Sequence, residues 1–552
     1  MRMQGVDKNR AFCQSSYNYI WRLNMRKISM LIGASLLLLS CFLYRTQASI
    51  GNNYYASPGG TGDTCSWDAP CSLQSAVNKA QAGDHTYLQS GTYLAASTSD
   101  PQVLYIKGEI ALSGGCTWTS AFDVSCSPET TPSILDGQGV RRVITIDGED
   151  SDVSLYGLTI RDGNAHGVNP SLCPLKSGGS ALGCGGGIFA SGIPSLTLGG
   201  MTFESNIASS DSTGTGAALG GALYTFDLQE LYIYDSQFTD NAALEKGIGM
   251  GGAIYVEGDS VLTTGGISDS FFTANNVPES TYSKGAAILI YHTGLLEIYR
   301  NSFIENNDLE NKIDGAAIYF LEMTSSTYNF AENLLTGNYG RTILHSYTTP
   351  SRFTFNTIER NIFKDNTATS MIHLEGRDYH IIRNNFITYN SWLNLTRADY
   401  NNIYLKGINP DHLLAYIYHN SLAGGVDAIS IDDYVDTYIQ NNIIASSQNG
   451  INILGSFVST TIDSNLFFGN DFDGTVGANP FYGDPKFVNV SAGDLHIQKG
   501  SAAIDRLSDG LGIPDDIDTL SIRPIGSGPT PYDIGADEWD LVNEVYLPLT
   551  FR

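Results

Sequence analysis

One short unit recurs along this chain of 552 residues, and it constrains the fold more than any other feature. In its clearest copy, Gly220 to Tyr224 reads Gly-Gly-Ala-Leu-Tyr, and Phe238 and Asn241 close the unit. Related starts recur about every thirty residues, at Gly186, Gly251, Gly285 and Gly315. Because one unit cannot bury its apolar face alone, neighbouring units must stack into a continuous core. The repeat therefore predicts a solenoid.

A second pattern runs through the later repeats, where a strand enters a turn at an asparagine. The predicted row is Asn301, Asn333, Asn361, Asn384, Asn420, Asn442 and Asn465. Unequal spacing around one constant corner is typical of a parallel β-helix, since loops can lengthen while the strands stay in register. Asparagine suits the corner because it accepts left-handed backbone angles and its amide can bond to the amide one coil away. We predict an all-β fold whose coils span residues 134–470.

A short helix is predicted before the coils. Leu73, Ala76, Val77 and Ala80 share one face of a helix, and such a helix would cover the open end of a solenoid. The surrounding residues 49–133 are interpreted as an N-terminal cap. They resemble the cap of pectate-lyase-like right-handed β-helix proteins, and that resemblance implies a right-handed coil.

The residues after the coils resemble a known C-terminal domain. Asp484 to Val488, Gly500 to Asp505 and Asp533 to Glu538 are similar to phrases of the choice-of-anchor Q group of exported bacterial proteins. Ala502 replaces the usual proline and Asp537 the usual tyrosine. The resemblance implies a C-terminal β cap over residues 471–540, followed by a tail at 541–552. The repeats also resemble those of polymorphic outer-membrane adhesins.

The beginning of the chain predicts export. Arg26 and Lys27 precede an apolar run and a small-residue end, so residues 25–48 are interpreted as a signal peptide and 1–24 as an upstream extension. Cys41 leaves lipid attachment open as an alternative. Because the apolar run is too short for a membrane span, we expect membrane contact only through this signal or a lipid.

Cysteine usage agrees with an oxidising compartment. Six cysteines fall into three close pairs, and nearest-neighbour pairing is the favoured of 15 connectivities. The predicted disulfide cysteines are Cys65, Cys71, Cys116, Cys126, Cys173 and Cys184. We therefore expect an extracellular or cell-surface location.

The charge limits the partners. A net charge of −27 disfavours nucleic acid, because phosphate binding requires clustered lysine and arginine. It also disfavours an acidic polysaccharide unless divalent cations bridge the like charges.

Strand alternation predicts one row of outward side chains, one from each coil. The row is Phe189, Tyr224, Tyr255, Leu289, Tyr319, Leu344, His373 and Tyr404. An exposed aromatic stripe can hold sugar rings, so Phe189, Tyr224, Tyr255, Tyr319 and Tyr404 are candidate ligand-binding residues. The alternative is that these side chains stack on one another or lie beneath a loop.

Catalytic chemistry is left open. Asp432 and Asp433 belong to an acidic cluster with Asp427 and Asp436, which resembles the Asp-Asp element of polygalacturonases but lacks that family's later motifs. His373 and Glu375 share an outward face close to Arg377, and these three residues form a second candidate group. A solvated acidic loop is the alternative for the first group.

Calcium is the one cofactor that the sequence suggests, because Asp471 and Asp473 precede a glycine in a short turn. Turn formation alone also accounts for that pattern. These features together predict a surface protein that binds a polysaccharide or cell-surface glycan, with a polysaccharide lyase or glycosidase as the alternative.

Overall fold

Each repeat folds into one coil of a parallel β-helix, and each strand pairs with its counterpart in the next coil. Leu223, Ile254, Ile288 and Ile318 lie in register on four successive coils. The computed structural model describes residues 51–148, 151–166, 173, 183–209, 216–244, 247–258, 264–278, 282–291, 294–307, 313–321, 327–348, 355–388, 390–391, 400–518, 523–524 and 529–539. The predicted all-β parallel β-helix is confirmed.

Three long sheets form the sides of the coil. Sheet I contains β1 (Asn53–Ala56), β2 (His85–Gln89), β5 (Ile110–Ser120), β9 (Asp152–Tyr156), β13 (Ser195–Gly199), β18 (Glu230–Tyr234), β23 (Thr264–Ser268), β27 (Leu295–Tyr299), β30 (Thr327–Ala331), β33 (Phe355–Glu359), β36 (Tyr379–Arg383), β39 (Leu413–Tyr418), β42 (Val435–Gln440) and β45 (Val458–Asp463), with β6 (Asp123–Cys126) antiparallel to β5.

Sheet II contains short strands of two to four residues. They are β3 (Gly91–Tyr93), β7 (Ser133–Asp136), β10 (Leu158–Arg161), β14 (Thr202–Glu204), β19 (Gln237–Thr239), β24 (Phe271–Thr273), β28 (Ser302–Ile304), β31 (Leu334–Thr336), β34 (Ile362–Lys364), β37 (Phe386–Thr388), β40 (Ser421–Ala423), β43 (Ile443–Ala445), β46 (Leu466–Phe468) and β48 (Phe481–Tyr482).

Sheet III completes the coil. Its strands are β4 (Gln102–Ile106), β8 (Arg142–Asp147), β12 (Ile188–Ser191), β17 (Leu223–Phe226), β22 (Ile254–Glu257), β26 (Ile288–Tyr291), β29 (Ile318–Leu321), β32 (Thr342–Tyr347), β35 (Ser370–Gly376), β38 (Asn401–Gly407), β41 (Asp427–Ile431), β44 (Asn449–Ile453) and β47 (Phe472–Gly474).

Smaller elements lie beside these sheets. A four-stranded sheet, called the covering sheet below, contains β11 (Gly183–Cys184), β16 (Ala217–Leu219), β21 (Ile248–Met250) and β25 (Tyr282–Lys284). The others are the pair β15 (Ile207–Ser209) and β20 (Ala242–Leu244), the pair β49 (Phe487–Asn489) and β50 (Asp494–Ile497), a 3₁₀ turn at Val490–Ala492, and helix α1 (Leu73–Lys79).

The core fills the inside of the coil with alternate side chains from all three sheets. The repeated phenylalanines Phe203, Phe238, Phe272 and Phe303 stack with ring centroids 4.6, 4.8 and 5.0 Å apart. All four are fully buried. The phenylalanine of the repeat therefore fills the core one coil at a time.

Two asparagine ladders line the corners on either side of sheet II. The first joins Asn301, Asn333, Asn361, Asn385, Asn420, Asn442 and Asn465 through side-chain amides. The second joins Asn206, Asn241, Asn275, Asn306, Asn338, Asn366 and Asn390.

The predicted row of asparagines was wrong at one position, and the prediction assigned the left-handed backbone angle to the wrong residue of the corner. Asn385, not Asn384, belongs to the first ladder. The preceding residue, such as Asn384 with φ 53° or Arg360 with φ 53°, takes the left-handed backbone angle. The ladder asparagine itself is buried, and its amide bonds to the next coil.

The N-terminal end carries the predicted helix. Leu73, Ala76 and Val77 of α1 are buried, and Ser72 accepts a hydrogen bond from the Ser75 amide (3.4 Å) as N-cap. Disulfide bonds join all three predicted pairs, Cys65–Cys71, Cys116–Cys126 and Cys173–Cys184.

The C-terminal residues pack along the flank of the solenoid. Ile497, Ala503 and Ile534 contact Ile443 and Leu466 on the outward face of sheet II. A second apolar cluster continues this contact toward Ile362, Phe386 and Ala423, with Leu495, Ile517 and Ala536. The segment therefore covers sheet II as well as the last coil. Its assignment as an anchor-type domain stays a prediction.

Some predictions fall outside the described residues. These are the upstream extension and signal peptide at 1–48, including Cys41, and the tail at 541–552. Among the residues that the structure describes, no helix is long and apolar enough to cross a membrane.

Candidate functional site

The structure contradicts the predicted exposure of the first four aromatic side chains. Phe189, Tyr224, Tyr255 and Tyr319 are at most 3% exposed. The rings of Phe189 and Tyr224 stack at 5.6 Å, and those of Tyr224 and Tyr255 at 5.5 Å. They point out of the main core as predicted, but they form a second core beneath the covering sheet. Burial raises the pKa of Tyr224 above its ordinary value.

The glycine at the start of the repeat explains this covering layer. Gly220 has φ 60°, and a Cβ atom there would lie 2.1 Å from the Leu223 carbonyl oxygen. Only glycine fits this reversal, which places β16 over the outward face of β17. The alternative, in which these aromatic side chains lie beneath another part of the same chain, describes them correctly.

The same row becomes accessible where the covering sheet ends. The rings of Tyr319, His345, His373 and Tyr404 follow one another with centroids 4.6, 4.4 and 4.7 Å apart, and the first three are stacked. His373 and Tyr404 are half-buried. The row therefore passes from the second core to the protein surface.

His345 was missed because the predicted row was one residue out of register on β32. Leu344 pairs with Ile318 and Ile372 and points into the core, whereas His345 pairs with Tyr319 and His373. The signal was available in the sequence, since matching Leu344 to the isoleucines of neighbouring coils places His345 outward.

The surface that this row reaches is called the histidine patch below. It consists of His345, His373, Glu375, Tyr404, Lys406 and Asp432. Glu375 lies between His373 Nε2 at 3.8 Å and Lys406 Nζ at 4.0 Å. Its pKa is lowered chiefly by the adjacent His373 side chain, with smaller contributions from charges that include Lys406. The Tyr404 hydroxyl donates to Asp432 Oδ2 (2.6 Å).

The patch brings together three of the four predicted catalytic residues, namely Asp432, His373 and Glu375, on neighbouring coils. Asp433 is engaged elsewhere, because its carboxylate accepts a hydrogen bond from the Ser456 amide (2.7 Å). This arrangement can hold a polar ligand, and the catalytic roles stay predictions.

The rest of the predicted acidic cluster is dispersed. Asp427 is 3% exposed and accepts hydrogen bonds from Ser430 Oγ (2.6 Å), Asn449 Nδ2 (2.6 Å) and Asn452 Nδ2 (2.9 Å). Asp436 lies near the start of β42 on sheet I, 3.2 Å from His412 Nδ1. The Asp427 carboxylate therefore joins neighbouring strands of sheet III by hydrogen bonds.

The predicted calcium ligands lie at the end of the solenoid. Asp471 is exposed, and Asp473 Oδ1 accepts a hydrogen bond from Asn470 Nδ2 (2.9 Å). One of the two carboxylates thus participates in the turn, in agreement with the alternative that turn formation accounts for these residues. Calcium binding at this pair stays a prediction.

An exposed aromatic row that the sequence did not predict lies on sheet I. We call Phe355, Tyr379, Tyr416 and Tyr438 the tyrosine ladder. Successive ring centroids lie 5.0, 5.0 and 4.8 Å apart. Phe355 is 60% exposed and Tyr438 is 38% exposed. Their outward positions follow from strand alternation in β33, β36, β39 and β42.

A shallow cavity of about 430 Å³ opens on the same face of sheet I. It lies at Gly266, which pairs with Tyr232 on one coil and Glu297 on the next. Because Gly266 has no side chain, the outward column is interrupted there, and Tyr234 and Tyr299 form part of the rim. The cavity can accept a small polar ring or substituent.

Among the described residues, two side-chain clusters have a composition that could hold a metal ion. They are His345 with His373 and Glu375, and His496 with Asp518 and Asp537. In the second cluster both His496 nitrogens already face carboxylates, Asp494 at 2.5 Å and Asp518 at 3.2 Å. Burial alone would lower the pKa of His496, but these hydrogen bonds outweigh it and raise the pKa to about 11. This cluster is therefore an ion-pair network around an imidazolium.

This network predicts a pH-dependent contribution to stability. The folded-state pKa of His496, about 11, lies above the ordinary 6.5, so its stabilisation is complete below pH 6.5 and is lost as pH rises toward 11. We expect His496→Gln to lower the free energy of unfolding most near pH 6. The difference in free energy of unfolding between the variant and the unaltered protein should shrink by up to about 1.4 kcal/mol per pH unit as the pH rises. Chemical denaturation at several pH values measures it.

The matched control is His412→Gln, because His412 is 37% exposed and faces one carboxylate. A destabilisation by His496→Gln that is constant across the whole pH range would contradict a charged imidazole at this position.

Comparisons with known proteins found solved structures of low sequence identity to this chain. No protein-family profile matches it, and no curated protein sequence matches it. A solved alginate lyase of polysaccharide lyase family 6, AlyGC, is 15% identical with a TM-score of 0.45, covering 81% of this chain and 55% of its own. Pectate lyase Pel9A is 13% identical with a TM-score of 0.33, covering 89% and 98%. PfbA, a surface adhesin of Streptococcus pneumoniae, is 14% identical with a TM-score of 0.36, covering 76% and 92%.

Proposed function

We propose that this is an exported glycan-binding protein whose binding surface is the outward face of sheet I. The proposal rests on the tyrosine ladder, because it places four aromatic rings on successive coils at centroid distances of 5.0, 5.0 and 4.8 Å, with the rings of Tyr416 and Tyr438 stacked. Aromatic rings offer broad apolar faces with a polar edge, which suits the C–H faces and hydroxyl groups of sugars. Exposed apolar stripes of this kind mark interaction sites.

The direction of the ladder indicates an extended ligand. Successive coils rise by about 4.8 Å, so the four rings extend roughly 14 Å along the solenoid. A linear glycan chain lying parallel to the axis can contact every ring. We therefore infer a polysaccharide rather than a single sugar.

The cavity at Gly266 extends the same surface. Tyr232, Gly266 and Glu297 lie in one outward column. Through the strands between them this column continues to Ile381, Tyr416 and Tyr438. The ladder and the cavity can therefore contact different parts of one ligand.

The basic side chains Arg383 and His412 near the ladder already face carboxylates, which favours a neutral glycan over an anionic one. Arg383 is paired with Glu359 at 2.5 Å, and His412 lies 3.2 Å from Asp436. With a net charge of −27, the protein as a whole repels a polyanion. Three disulfides support an extracellular location, because such bonds persist in oxidising compartments.

Binding to the ladder is tested by aromatic truncation. We expect Tyr416→Ala and Tyr438→Ala each to weaken binding of a neutral linear glycan by about tenfold, which corresponds to roughly 1.4 kcal/mol of lost stacking. A glycan array identifies the ligand, and titration calorimetry measures the affinities. Tyr482→Ala is the matched control, because Tyr482 is 60% exposed on sheet II.

The proposal fails if no glycan on the array binds, or if a variant that carries both Tyr416→Ala and Tyr438→Ala binds as tightly as the unaltered protein. Reducing ends and unsaturated ends should be measured in the same mixtures. Turnover that disappears in Asp432→Asn would instead support the lyase or glycosidase alternative at the histidine patch.

A further inference from the structure

Two neighbouring histidine nitrogens in the histidine patch have no hydrogen-bond partner. His345 on β32 and His373 on β35 are in register, and their ring centroids lie 4.4 Å apart. The Nε2 atoms of both are buried without a hydrogen bond, and the His345 side chain is only 3% exposed. A buried polar nitrogen left unpaired costs about 1–3 kcal/mol, so a partner of another kind is expected there.

A carboxylate completes the set of donor atoms. His345, His373 and Glu375 each offer one donor atom, and the three atoms lie within 4.8 Å of one another. Donors bound to a tetrahedral metal ion at about 2.1 Å lie roughly 3.4 Å apart, so the three atoms need to approach by about an ångström. His373 is 18% exposed and Glu375 is 26% exposed, so both side chains have room for that adjustment.

The other nitrogen of the buried histidine is oriented as in known metal sites. His345 Nδ1 lies 3.4 Å from Thr342 Oγ1 and 3.9 Å from Asp314 Oδ1. A histidine that ligates a metal typically directs its second nitrogen at a hydroxyl, carbonyl or carboxylate, which leaves the first nitrogen free to bind.

The nearby cations have partners of their own. Arg341 forms two hydrogen bonds with the Asp314 carboxylate, at 2.6 and 2.8 Å. Lys284 Nζ donates to the Tyr319 hydroxyl (3.1 Å). Glu375 lies 4.0 Å from the 43%-exposed Lys406.

We propose that His345, His373 and Glu375 form a binding site for a divalent first-row transition metal ion, with Zn²⁺ the best match. Two imidazole nitrogens and one carboxylate suit Zn²⁺, whereas Ca²⁺ prefers oxygen ligands alone. Tyr404 and Lys406 lie beside the site, because they pair with His373 and Glu375 on the next strand. The site is distinct from the predicted calcium pair at Asp471 and Asp473, and it does not depend on glycan binding.

Metal titration of the chelator-stripped, tag-free protein tests the site. We expect one equivalent of Zn²⁺ to bind by calorimetry, and Co²⁺ to give the visible absorption bands of a four- or five-coordinate nitrogen–oxygen site. His373→Asn and Glu375→Gln should each weaken binding by at least about 100-fold. Both residues lie at the surface, so these variants should fold, which circular dichroism checks.

Two control variants separate this site from others. His412→Asn removes a histidine paired with Asp436 on the adjacent corner, and Asp471→Asn alters the predicted calcium pair; both should bind Zn²⁺ as the unaltered protein does. The proposal is overturned if the stripped protein binds no stoichiometric Zn²⁺. It is equally overturned if His373→Asn and Glu375→Gln leave the affinity unchanged.

Discussion

Replacing Arg523 by methionine should release the C-terminal segment from the solenoid and lower the free energy of unfolding by about 3–5 kcal/mol. The Arg523 side chain is fully buried, 3.1 Å from Glu538, which is 1% exposed. It also donates to the Gly535 carbonyl (2.6 Å) and lies 3.0 Å from His419 Nδ1 of the solenoid. Without the guanidinium, Glu538 would be an uncompensated buried charge. Urea denaturation measures the loss, and limited proteolysis locates it.

The control for this variant is Arg506→Met. Arg506 is exposed and donates a hydrogen bond to the Ala502 carbonyl (2.8 Å), so its loss should change stability little. If Arg523→Met and Arg506→Met unfold at the same urea concentration, the buried ion pair does not hold the segment in place.

Replacing Asn361 by alanine should be similarly damaging, because it interrupts the first asparagine ladder in its middle. Asn361 Oδ1 accepts one hydrogen bond from the backbone N–H of Asn333 (2.9 Å) and another from Asn333 Nδ2 (3.0 Å). Its Nδ2 donates to the Phe330 carbonyl (2.9 Å) and to Asn385 Oδ1 (3.0 Å). Several buried groups lose a partner at about 1–3 kcal/mol each, so we expect a total loss of at least about 3 kcal/mol. Thermal and urea denaturation provide the measurement.

Asn307→Ala is the comparison for the ladder variant. Asn307 forms an exposed hydrogen bond to the Glu305 carbonyl (3.2 Å), and its truncation should cost less than about 1 kcal/mol. Hydrogen exchange should show greater opening around residues 330–385 in Asn361→Ala alone. Equal stability of the two variants would mean that the ladder contributes little to folding.

The solenoid was predictable because its repeat encodes both core and corners. Phe238 and Asn241 recur with fixed separation, and each fills one defined position in every coil. The prediction of Asn384 instead of Asn385 has a local cause: two asparagines stand together there, and alternation does not tell which of them joins the ladder.

The surface was harder to predict, because it depends on what lies over each strand. Strand alternation correctly directed Tyr255 away from the main core, but it carried no information about β21 and β25. The same limitation hid the accessibility of Tyr416 and Tyr438, since their exposure requires that no segment folds over sheet I there. His345 was different, because correct register alone would have identified it.

The asparagine ladders also determine how a protein of this kind can change in length. Consecutive ladder residues are separated by 35 positions between Asn385 and Asn420 but by 22 between Asn420 and Asn442, and the amide contacts are 2.9 and 3.0 Å. Each asparagine donates to one neighbour and accepts from the other, so every interior coil is equivalent to the next in its hydrogen bonding. A whole coil can therefore be duplicated or deleted without leaving an unpaired amide. Each duplication would lengthen the solenoid by about 4.8 Å, so changes in repeat number outside the coils that the C-terminal segment covers can adjust its length in small steps.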